Sequence, residues 1–174
     1  KNWFHNDDFS GIADLNGNVC EWVGGLRLNG GEIQVIPDNN AAQAVDQGAD
    51  SVLWKAISQA GAMVAPGTDG ALKFNNTTGI KSNCAFKSIT VADGITIPDY
   101  LKALALYPND ATDTYKNDYF YANTSGEQIP CRGGSVSNAN TAGIFYCNLR
   151  GSRVARAYDN GFRSAFVPGN LLTD

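Results

Sequence analysis

The stretch Cys131-Arg132-Gly133-Gly134-Ser135 is followed later in the chain by Gly161-Phe162-Arg163-Ser164-Ala165-Phe166. Glycine carries no side chain, so it allows another part of the backbone to approach closely. Phe162 and Phe166 are predicted to lie in the core, because large aromatic side chains gain most from burial. We expect Arg132 and Arg163 to act as struts that pair with carboxylates or bind backbone carbonyls.

The composition predicts one ordinary domain that spans residues 1–174. Hydrophobic residues make up 43% of the chain and charged residues 17%, which excludes a disordered tail or a coiled coil. No run of about 18 apolar residues exists, so no transmembrane helix is predicted. Residues 1–5 do not resemble a signal peptide. A net charge of -4 argues against a dedicated nucleic-acid binder.

The charge is distributed unevenly along the chain. Residues 131–166 contain five arginines and one aspartate, which gives this segment a net charge of +4. The remaining residues contain eight basic and sixteen acidic side chains, so they carry a net charge of -8. A basic segment on an acidic body predicts an acidic partner surface or an anionic glycan as its ligand.

Hydrophobic spacing and breaker residues predict an α+β fold with short mixed or antiparallel strands, about two helices and a loop-rich C-terminal segment. Asn39 and its neighbours favour the start of a helix over 39–61, broken near Gly48. Pro98 favours the start of a second helix over 97–108. The predicted strands are 17–23, 31–36, 86–91 and 144–149. Residues 150–160 show no clear period and are predicted to form a loop.

The chain lacks the residue patterns that most classes of enzyme use for catalysis. The single histidine, His5, has no motif around it, so neither a Ser-His-Asp nor a Cys-His arrangement is indicated. No phosphate-binding loop occurs, and glutamate is too rare for paired carboxylates to stand out. The cysteines are Cys20, Cys84, Cys131 and Cys147. Their irregular spacing favours free or partly buried thiols over a disulfide framework or a zinc site, with one disulfide left open.

Residues 14–23 alternate oxygen-donor side chains with backbone carbonyls in a glycine-containing turn. Oxygen ligands of this kind suit a hard cation such as calcium. The ligands would be the carboxylates of Asp14 and Glu21 and the carbonyls of Gly17 and Val19. The alternative interpretation is a capped turn that leads into a strand, with Trp22 packed in the core. A structural calcium is the one cofactor that these residues suggest.

Three motifs together resemble the C-type-lectin-fold superfamily: Gly17-Asn18-Val19-x-Glu21-Trp22, Arg132-Gly133-Gly134-Ser135 and Gly161-Phe162-Arg163. They extend over most of the chain and occur in the same order as in that superfamily. The superfamily includes the formylglycine-generating enzymes and the variable proteins of diversity-generating retroelements. The resemblance implies a C-type-lectin-like fold, which does not by itself imply sugar binding.

The formylglycine-generating branch would make this chain a cysteine oxidase. Those enzymes use a pair of active-site cysteines in the segment before Gly-Phe-Arg. Here that segment holds only Cys147, and Ala142 stands where a partner five residues earlier would lie. Cys20 stands where the superfamily usually has tryptophan, which does not restore the pair. We therefore expect no enzyme, and keep a single-cysteine oxidase as an alternative.

The variable-protein branch fits residues 131–166 better. In that family a template is copied with errors at its adenines, and the diversified codons cannot encode Lys, Glu, Gln, Met or Trp. These five residue types occur 19 times in residues 1–130 and are absent from residues 131–166. One shared composition would place about five of them in the segment, and their absence has a chance of roughly 0.3%. The same rule accounts for a segment that contains arginine but no lysine.

The resemblance implies a non-enzymatic, hypervariable ligand-binding module in which a rigid support displays diversified side chains. We assign Phe145, Arg153 and Phe162 to the support. The candidate ligand-binding residues are Ser137, Asn140, Thr141, Tyr146, Asn148, Arg150, Gly151, Arg156, Tyr158 and Asp159. Tyrosine would give large contacts at low entropic cost, arginine charged anchors, and Asn, Ser and Gly adaptable neighbours.

The implied setting is a receptor-binding protein of a phage, a virus or a prokaryotic cell, located at the virion or cell surface. Its partner would be a protein or glycan on a target cell surface, with no nucleic acid and no membrane insertion by this segment. A static component of a larger virion or surface assembly is the remaining alternative, and it predicts an extensive apolar oligomer interface.

Overall fold

The structure of the protein is a computed structural model that describes residues 4, 7–14, 16–110 and 113–162. Three residues with sequence-based predictions, His5, Arg163 and Phe166, lie outside the described residues. The described chain is mostly β sheet with short helices, in agreement with an α+β class. None of the helices in these ranges has the length and hydropathy that crossing a membrane requires.

The described residues form twelve strands and one short α-helix. The strands are β1 (Cys20–Trp22), β2 (Leu26–Asn29), β3 (Glu32–Val35), β4 (Lys55–Ile57), β5 (Met63–Val64), β6 (Ile80–Lys81), β7 (Cys84–Ala85), β8 (Thr90–Val91), β9 (Tyr119–Ala122), β10 (Glu127–Gly133), β11 (Gly143–Gly151) and β12 (Asn160–Gly161). The α-helix α1 covers Asp99–Ala103. The 3-10 helices cover Asn40–Ala42, Phe86–Ser88, Asp113–Tyr115 and Val136–Thr141.

Strand β10 is central to the sheet because it pairs with three other strands. Its first residues, Glu127 and Gln128, pair with β2, and its later residues pair with β1 and β11. The resulting order is β5-β4-β3-β2-β10-β11-β9-β7, with β1 on β10 and β12 on β1. β6 and β8 form a separate antiparallel pair. One continuous sheet therefore connects the N-terminal strands to the C-terminal segment.

Alternation along β9 and β11 separates two faces of the sheet. Phe120 and Leu149 are fully buried in the main core, which also contains apolar residues of β2, β3 and α1. Tyr121 and Tyr146 lie on the opposite face, in or against a smaller cluster that contains two cysteines. Several of the candidate binding residues lie on or next to this second face.

The turn between β2 and β3 depends on two glycines. Gly30 and Gly31 have φ values of 58° and 81°, a left-handed conformation that glycine adopts without strain. A Cβ atom at Gly31 would lie 2.7 Å from the carbonyl oxygen of Phe74, so no side chain fits there. The turn sets the antiparallel register in which Leu26 lies opposite Val35.

The predicted helix over 39–61 is wrong. The segment forms only the 3-10 helix Asn40–Ala42 and then bends towards strand β4. The Gln47 side chain accepts a hydrogen bond from the Gly25 N–H and donates one to the Ala41 carbonyl. Trp54 donates its indole N–H to the Gly48 carbonyl. These hydrogen bonds between side chains and the backbone hold the segment in a non-helical conformation, although its apolar residues have helical spacing.

The other predicted elements are confirmed in whole or in part. Helix α1 begins directly after Pro98 but is shorter than predicted. Strands β1, β3 and β11 lie within or over three of the four predicted strands. The fourth, over 86–91, is a 3-10 helix followed by β8. The loop predicted over 150–160 is confirmed for residues 152–159, whereas Arg150 and Gly151 belong to β11 and Asn160 to β12.

A disulfide joins Cys20 to Cys131, which corrects the expectation of free thiols for two of the four cysteines. Strands β1 and β10 are neighbours, so the two Cα atoms lie 5.5 Å apart, a separation that suits a disulfide. The chain separation of 111 residues hides this proximity from any spacing pattern. Cys84 and Cys147 are free, as expected.

Candidate functional site

The three glycine-containing motifs meet at strand β1. Glu21 lies opposite Arg132 of β10 and opposite Gly161 of β12. The N–H of Gly17 donates a hydrogen bond of 3.2 Å to the carbonyl of Gly133. The structure therefore brings together three segments that are far apart in the sequence.

Residues 135–141, which contain the 3-10 helix Val136–Thr141, and residues 152–159 form two neighbouring connections, called here the paired loops. They follow strands β10 and β11. Ser137 Oγ and the Tyr158 hydroxyl lie 3.1 Å apart. The Ser135 hydroxyl donates a hydrogen bond of 2.8 Å to Asp159 Oδ2. These contacts join the two loops side chain to side chain.

Backbone hydrogen bonds hold both loops to the segment around β1. The N–H of Val136 donates to the carbonyl of Asn18 at 3.1 Å. The N–H of Cys20 donates to the carbonyl of Asp159 at 2.8 Å. Cys20 also forms the disulfide with Cys131 of β10. Cys20 therefore connects loop 152–159 to the strand that precedes loop 135–141.

The first of the paired loops is also held from within. The backbone N–H of Ser135 donates to Asn138 Oδ1 at 2.7 Å, and the Thr141 hydroxyl donates to the Asn138 carbonyl at 2.7 Å. Asn138 thus binds both ends of the loop. Ser137 and Asn140 remain exposed on it.

The ten candidate binding residues divide by exposure. The exposed members are Ser137, Asn140, Arg150, Arg156 and Tyr158. The partly buried members are Thr141, Asn148, Gly151 and Asp159, and Tyr146 is only 2% exposed. The exposed members can meet a ligand without any change in the fold, whereas the buried tyrosine cannot.

Three of the candidates, Tyr146, Asn148 and Gly151, lie in strand β11 and are covered wholly or partly by the protein. Burial raises the pKa of Tyr146 to about 12, and Tyr121 acts in the same direction. Gly151 lies against Trp22, because a Cβ atom there would be 2.8 Å from Trp22 Cη2. Asn148 Oδ1 is buried, and no described residue donates a hydrogen bond to it.

Replacing Gly151 tests this packing. We expect Gly151→Asn to lower the free energy of unfolding by about 1–3 kcal/mol, because the new side chain overlaps the Trp22 ring. Urea unfolding measures the change. Ser152→Asn, at the neighbouring exposed position, is the control and should stay within about 0.5 kcal/mol. Equal stability of the two variants would contradict the contact with Trp22.

Strand β9 adds tyrosines that the sequence analysis did not single out. The ring centroids of Tyr119 and Tyr121 lie 4.4 Å apart, and those of Tyr121 and Tyr146 lie 6.0 Å apart. The guanidinium carbon of Arg150 lies 5.2 Å from the centroid of the Tyr121 ring, a cation–π distance. The alternation Tyr-Phe-Tyr-Ala in this strand was the available signal.

Two of the four arginines within residues 131–162 are bound to protein acceptors. Arg132 donates hydrogen bonds to two carbonyls just after α1, at 2.7 Å and 3.3 Å, as predicted for a strut. Arg153 donates two hydrogen bonds to the Glu127 carboxylate, at 2.9 Å and 2.7 Å, which agrees with its assignment to the support. Arg150 and Arg156 are exposed and supply the charge that a ligand would meet.

The Glu127 carboxylate should make stability depend on pH. Hydrogen bonds from Arg153, and next from Arg27, hold its pKa below the ordinary value of 4.5, against the effect of burial. This stabilisation is present above pH 4.5 and is lost as the pH falls through the lowered pKa. We expect the stability difference between the unchanged protein and Glu127→Gln to shrink from about pH 6 to about pH 3 in urea unfolding.

Asp118 provides a contrast with the opposite sign. Burial raises the pKa of its carboxyl group, so its contribution is lost as the pH rises through the raised value. The free energy of unfolding of the unchanged protein, compared with that of Asp118→Asn, should therefore fall as the pH rises.

For Glu127→Gln, a difference in unfolding free energy that does not change with pH would contradict the ion pairs of Glu127 with Arg153 and Arg27.

Phe162 is 83% exposed, so its predicted place in the core is wrong. It follows directly after β12, and β12 pairs only with β1 among the described strands. No second neighbour therefore covers it there. Phe145 does pack against the main core, with its ring centroid 5.2 Å from that of Phe86.

The turn before β1 is closed by hydrogen bonds between protein groups. Asn18 donates its side-chain amide to Asp14 Oδ2 at 2.8 Å. Trp22 packs against the smaller cluster, as the capped-turn interpretation predicts. Within the described ranges, no three acidic, histidine or cysteine side chains are arranged to hold a metal ion. A calcium held by Asp14, Gly17, Val19 and Glu21 stays a prediction.

The Cys147 thiol is not accessible to a substrate. Its side chain is fully buried, and burial raises its pKa, with Arg132 opposing the shift. A nucleophilic or redox-active cysteine needs both access and a stabilised thiolate. Burial also raises the pKa of the half-buried Cys84.

Comparison of the chain with protein-family models finds no match, and none of the curated proteins matches it either. Function is therefore inferred from the residues and their contacts.

Proposed function

We propose that this chain is a non-enzymatic ligand-binding protein with a C-type-lectin-like fold, and that its paired loops display side chains diversified by a retroelement. The observation that carries the proposal is the grouping of exposed candidates. Ser137, Asn140, Arg156 and Tyr158 lie on the paired loops, and Arg150 lies just before the second loop. All belong to the segment without Lys, Glu, Gln, Met or Trp.

The meeting of the three motifs supports the fold part of the proposal. A resemblance based on separate motifs requires them to share one structural site, and β1 pairs with both of the other motifs. The strand order and the short helices agree with the α+β class that the resemblance implies.

The support beneath the paired loops favours binding by a preformed surface. The disulfide, the bond from Cys20 to Asp159 and the bonds around Asn138 fix the loop backbones before a ligand arrives. Preorganisation lowers the entropy that is lost on binding. Tyrosine, arginine, serine and asparagine then supply the anchors and adaptable contacts typical of binding loops.

The disulfide also supports the proposed location at a virion or cell surface. Disulfides form and persist in oxidising environments and are rare in the cytosol of mesophiles. Cys20 and Cys131 are both buried, so the bond belongs to the folded core of this region.

Burial of Cys147 counts against the cysteine-oxidase alternative. A peptide oxidation assay with added copper tests this directly. We expect no turnover by the unchanged protein. Copper-dependent turnover that disappears in Cys147→Ser would overturn the binding proposal.

Sequencing the DNA that flanks this gene tests diversification. We expect a near-copy of the stretch that encodes residues 131–166, beside a reverse-transcriptase reading frame. The two copies should differ only where the near-copy has adenine, and the differences should include the codons of the five exposed candidates. Codons for Arg132 and Arg153, which the fold uses, should be identical in both. Flanking DNA without such a copy would contradict the proposal.

A further inference from the structure

We infer that the paired loops bind a protein surface whose apolar centre is bordered by carboxylates. This inference rests on the proposed function, because it names the partner of the same surface. It selects a protein over an anionic glycan.

Exposed apolar side chains are concentrated around the paired loops. Among the described residues, eight large hydrophobic side chains are exposed, and five of them lie between positions 136 and 162. Val136, Val154 and Tyr158 are on the loops themselves, with exposures of 69%, 82% and 89%. Val136 is next to Ser137, whose hydroxyl lies 3.1 Å from that of Tyr158. Exposed apolar side chains are therefore present on both loops, and those of Val136 and Tyr158 belong to or adjoin the residues through which the loops touch.

Aliphatic side chains distinguish a protein partner from a sugar. Sugar hydroxyls need hydrogen-bonding partners, which valine does not supply. Protein interfaces have apolar centres in which tyrosine and arginine are over-represented, with a polar rim around them. Tyr158 matches such a centre, and Val136 and Val154 add apolar area beside it.

Two exposed arginines lie on or beside the paired loops. Arg150 and Arg156 are exposed, whereas Arg132 and Arg153 are bound to protein acceptors. Asp159 accepts a hydrogen bond from Ser135 within the loops. The exposed guanidinium groups therefore meet the partner, and carboxylates complement them.

Three polyanions separate the partner classes in a binding experiment. The intact chain is immobilised and exposed to a copolymer of glutamate and tyrosine, to polyglutamate and to heparin. The copolymer offers both carboxylates and apolar surface, polyglutamate offers carboxylates alone, and heparin is an anionic glycan. We expect the copolymer to bind about tenfold more tightly than either of the other two. Its affinity should fall as salt is added.

Matched variants locate the binding surface. The double variants Arg150→Gln/Arg156→Gln and Val136→Ser/Val154→Ser should each weaken copolymer binding about tenfold. Lys81→Gln and Val52→Ser remove an exposed charge and an exposed valine elsewhere, so they are the controls and should bind unchanged. Circular dichroism confirms that each variant is folded.

Two results would overturn the inference. Heparin binding as tight as copolymer binding, weakened only by the arginine variant, would assign the surface to an anionic glycan. Absence of copolymer binding, or equal loss in the control variants, would remove the protein partner. Neither result changes the DNA comparison, so failure of this inference is distinguishable from failure of the proposed function.

Discussion

The double variant Cys20→Ala/Cys131→Ala is expected to lose about 4.7 kcal/mol of unfolding free energy. The disulfide closes a loop of 111 residues, so its removal greatly increases the conformational freedom of the unfolded chain. The main core on the other face of the sheet does not involve these residues, so it should still form. Urea unfolding under non-reducing conditions measures the loss.

The same variant should loosen the paired loops more than the rest of the fold. The backbone N–H of Val136 donates to the Asn18 carbonyl, and the backbone N–H of residue 20 donates to the Asp159 carbonyl. Hydrogen exchange of these two amides should accelerate most in the variant. Cys84→Ser, at a free and half-buried cysteine, is the control and should cost far less. Four titratable thiols in the unfolded, unreduced protein would show that the disulfide does not exist.

Glu127→Gln is expected to lower the free energy of unfolding by about 3 kcal/mol at neutral pH, because it leaves a buried cation without its partner. Arg27 is only 5% exposed, and its Nη1 lies 2.7 Å from Glu127 Oε1. Arg27 also donates to Gln34 Oε1 at 2.8 Å and lies over the ring of Trp54, so the protein surrounds most of its guanidinium group. Urea unfolding at neutral pH measures the loss.

A surface ion pair provides the control for Glu127→Gln. Asp99 and Lys102 lie 2.9 Å apart, but the Asp99 side chain is almost fully exposed. Solvent screens such pairs, so Asp99→Asn should leave stability unchanged within error. A loss at Glu127 no larger than that at Asp99 would contradict a stabilising role for the buried pair.

Local patterns predicted those elements that depend on neighbouring residues. Helix α1 follows Pro98 because proline favours a first helical turn, and β11 contains the short apolar run over 144–147. Arg132 acts as the predicted strut because its partly buried guanidinium needs acceptors, whereas the second predicted strut, Arg163, lies outside the described residues. The helix over 39–61 failed because Gln47 and Trp54 bond to backbone groups, which apolar spacing does not reveal.

The candidate surface was predictable by segment but not by residue. Residue types and the missing Lys, Glu, Gln, Met and Trp selected residues 131–166 from composition alone. Strand alternation placed Tyr146 away from the main core, yet the smaller cluster on the other face buries it. Tyr119 and Tyr121 join that face from β9, outside the segment, through a parallel strand pairing that no sequence pattern specifies.

Composition, local period and short motifs were sufficient for the α+β class, for helix α1 and for the segment that carries the candidate residues. The disulfide, the burial of Tyr146, the exposure of Phe162 and the contact between Ser137 and Tyr158 required the folded chain. The physical reason is separation along the chain. Cys20 lies 111 residues from Cys131 and Arg27 lies 100 residues from Glu127, and local propensities do not specify contacts over such distances.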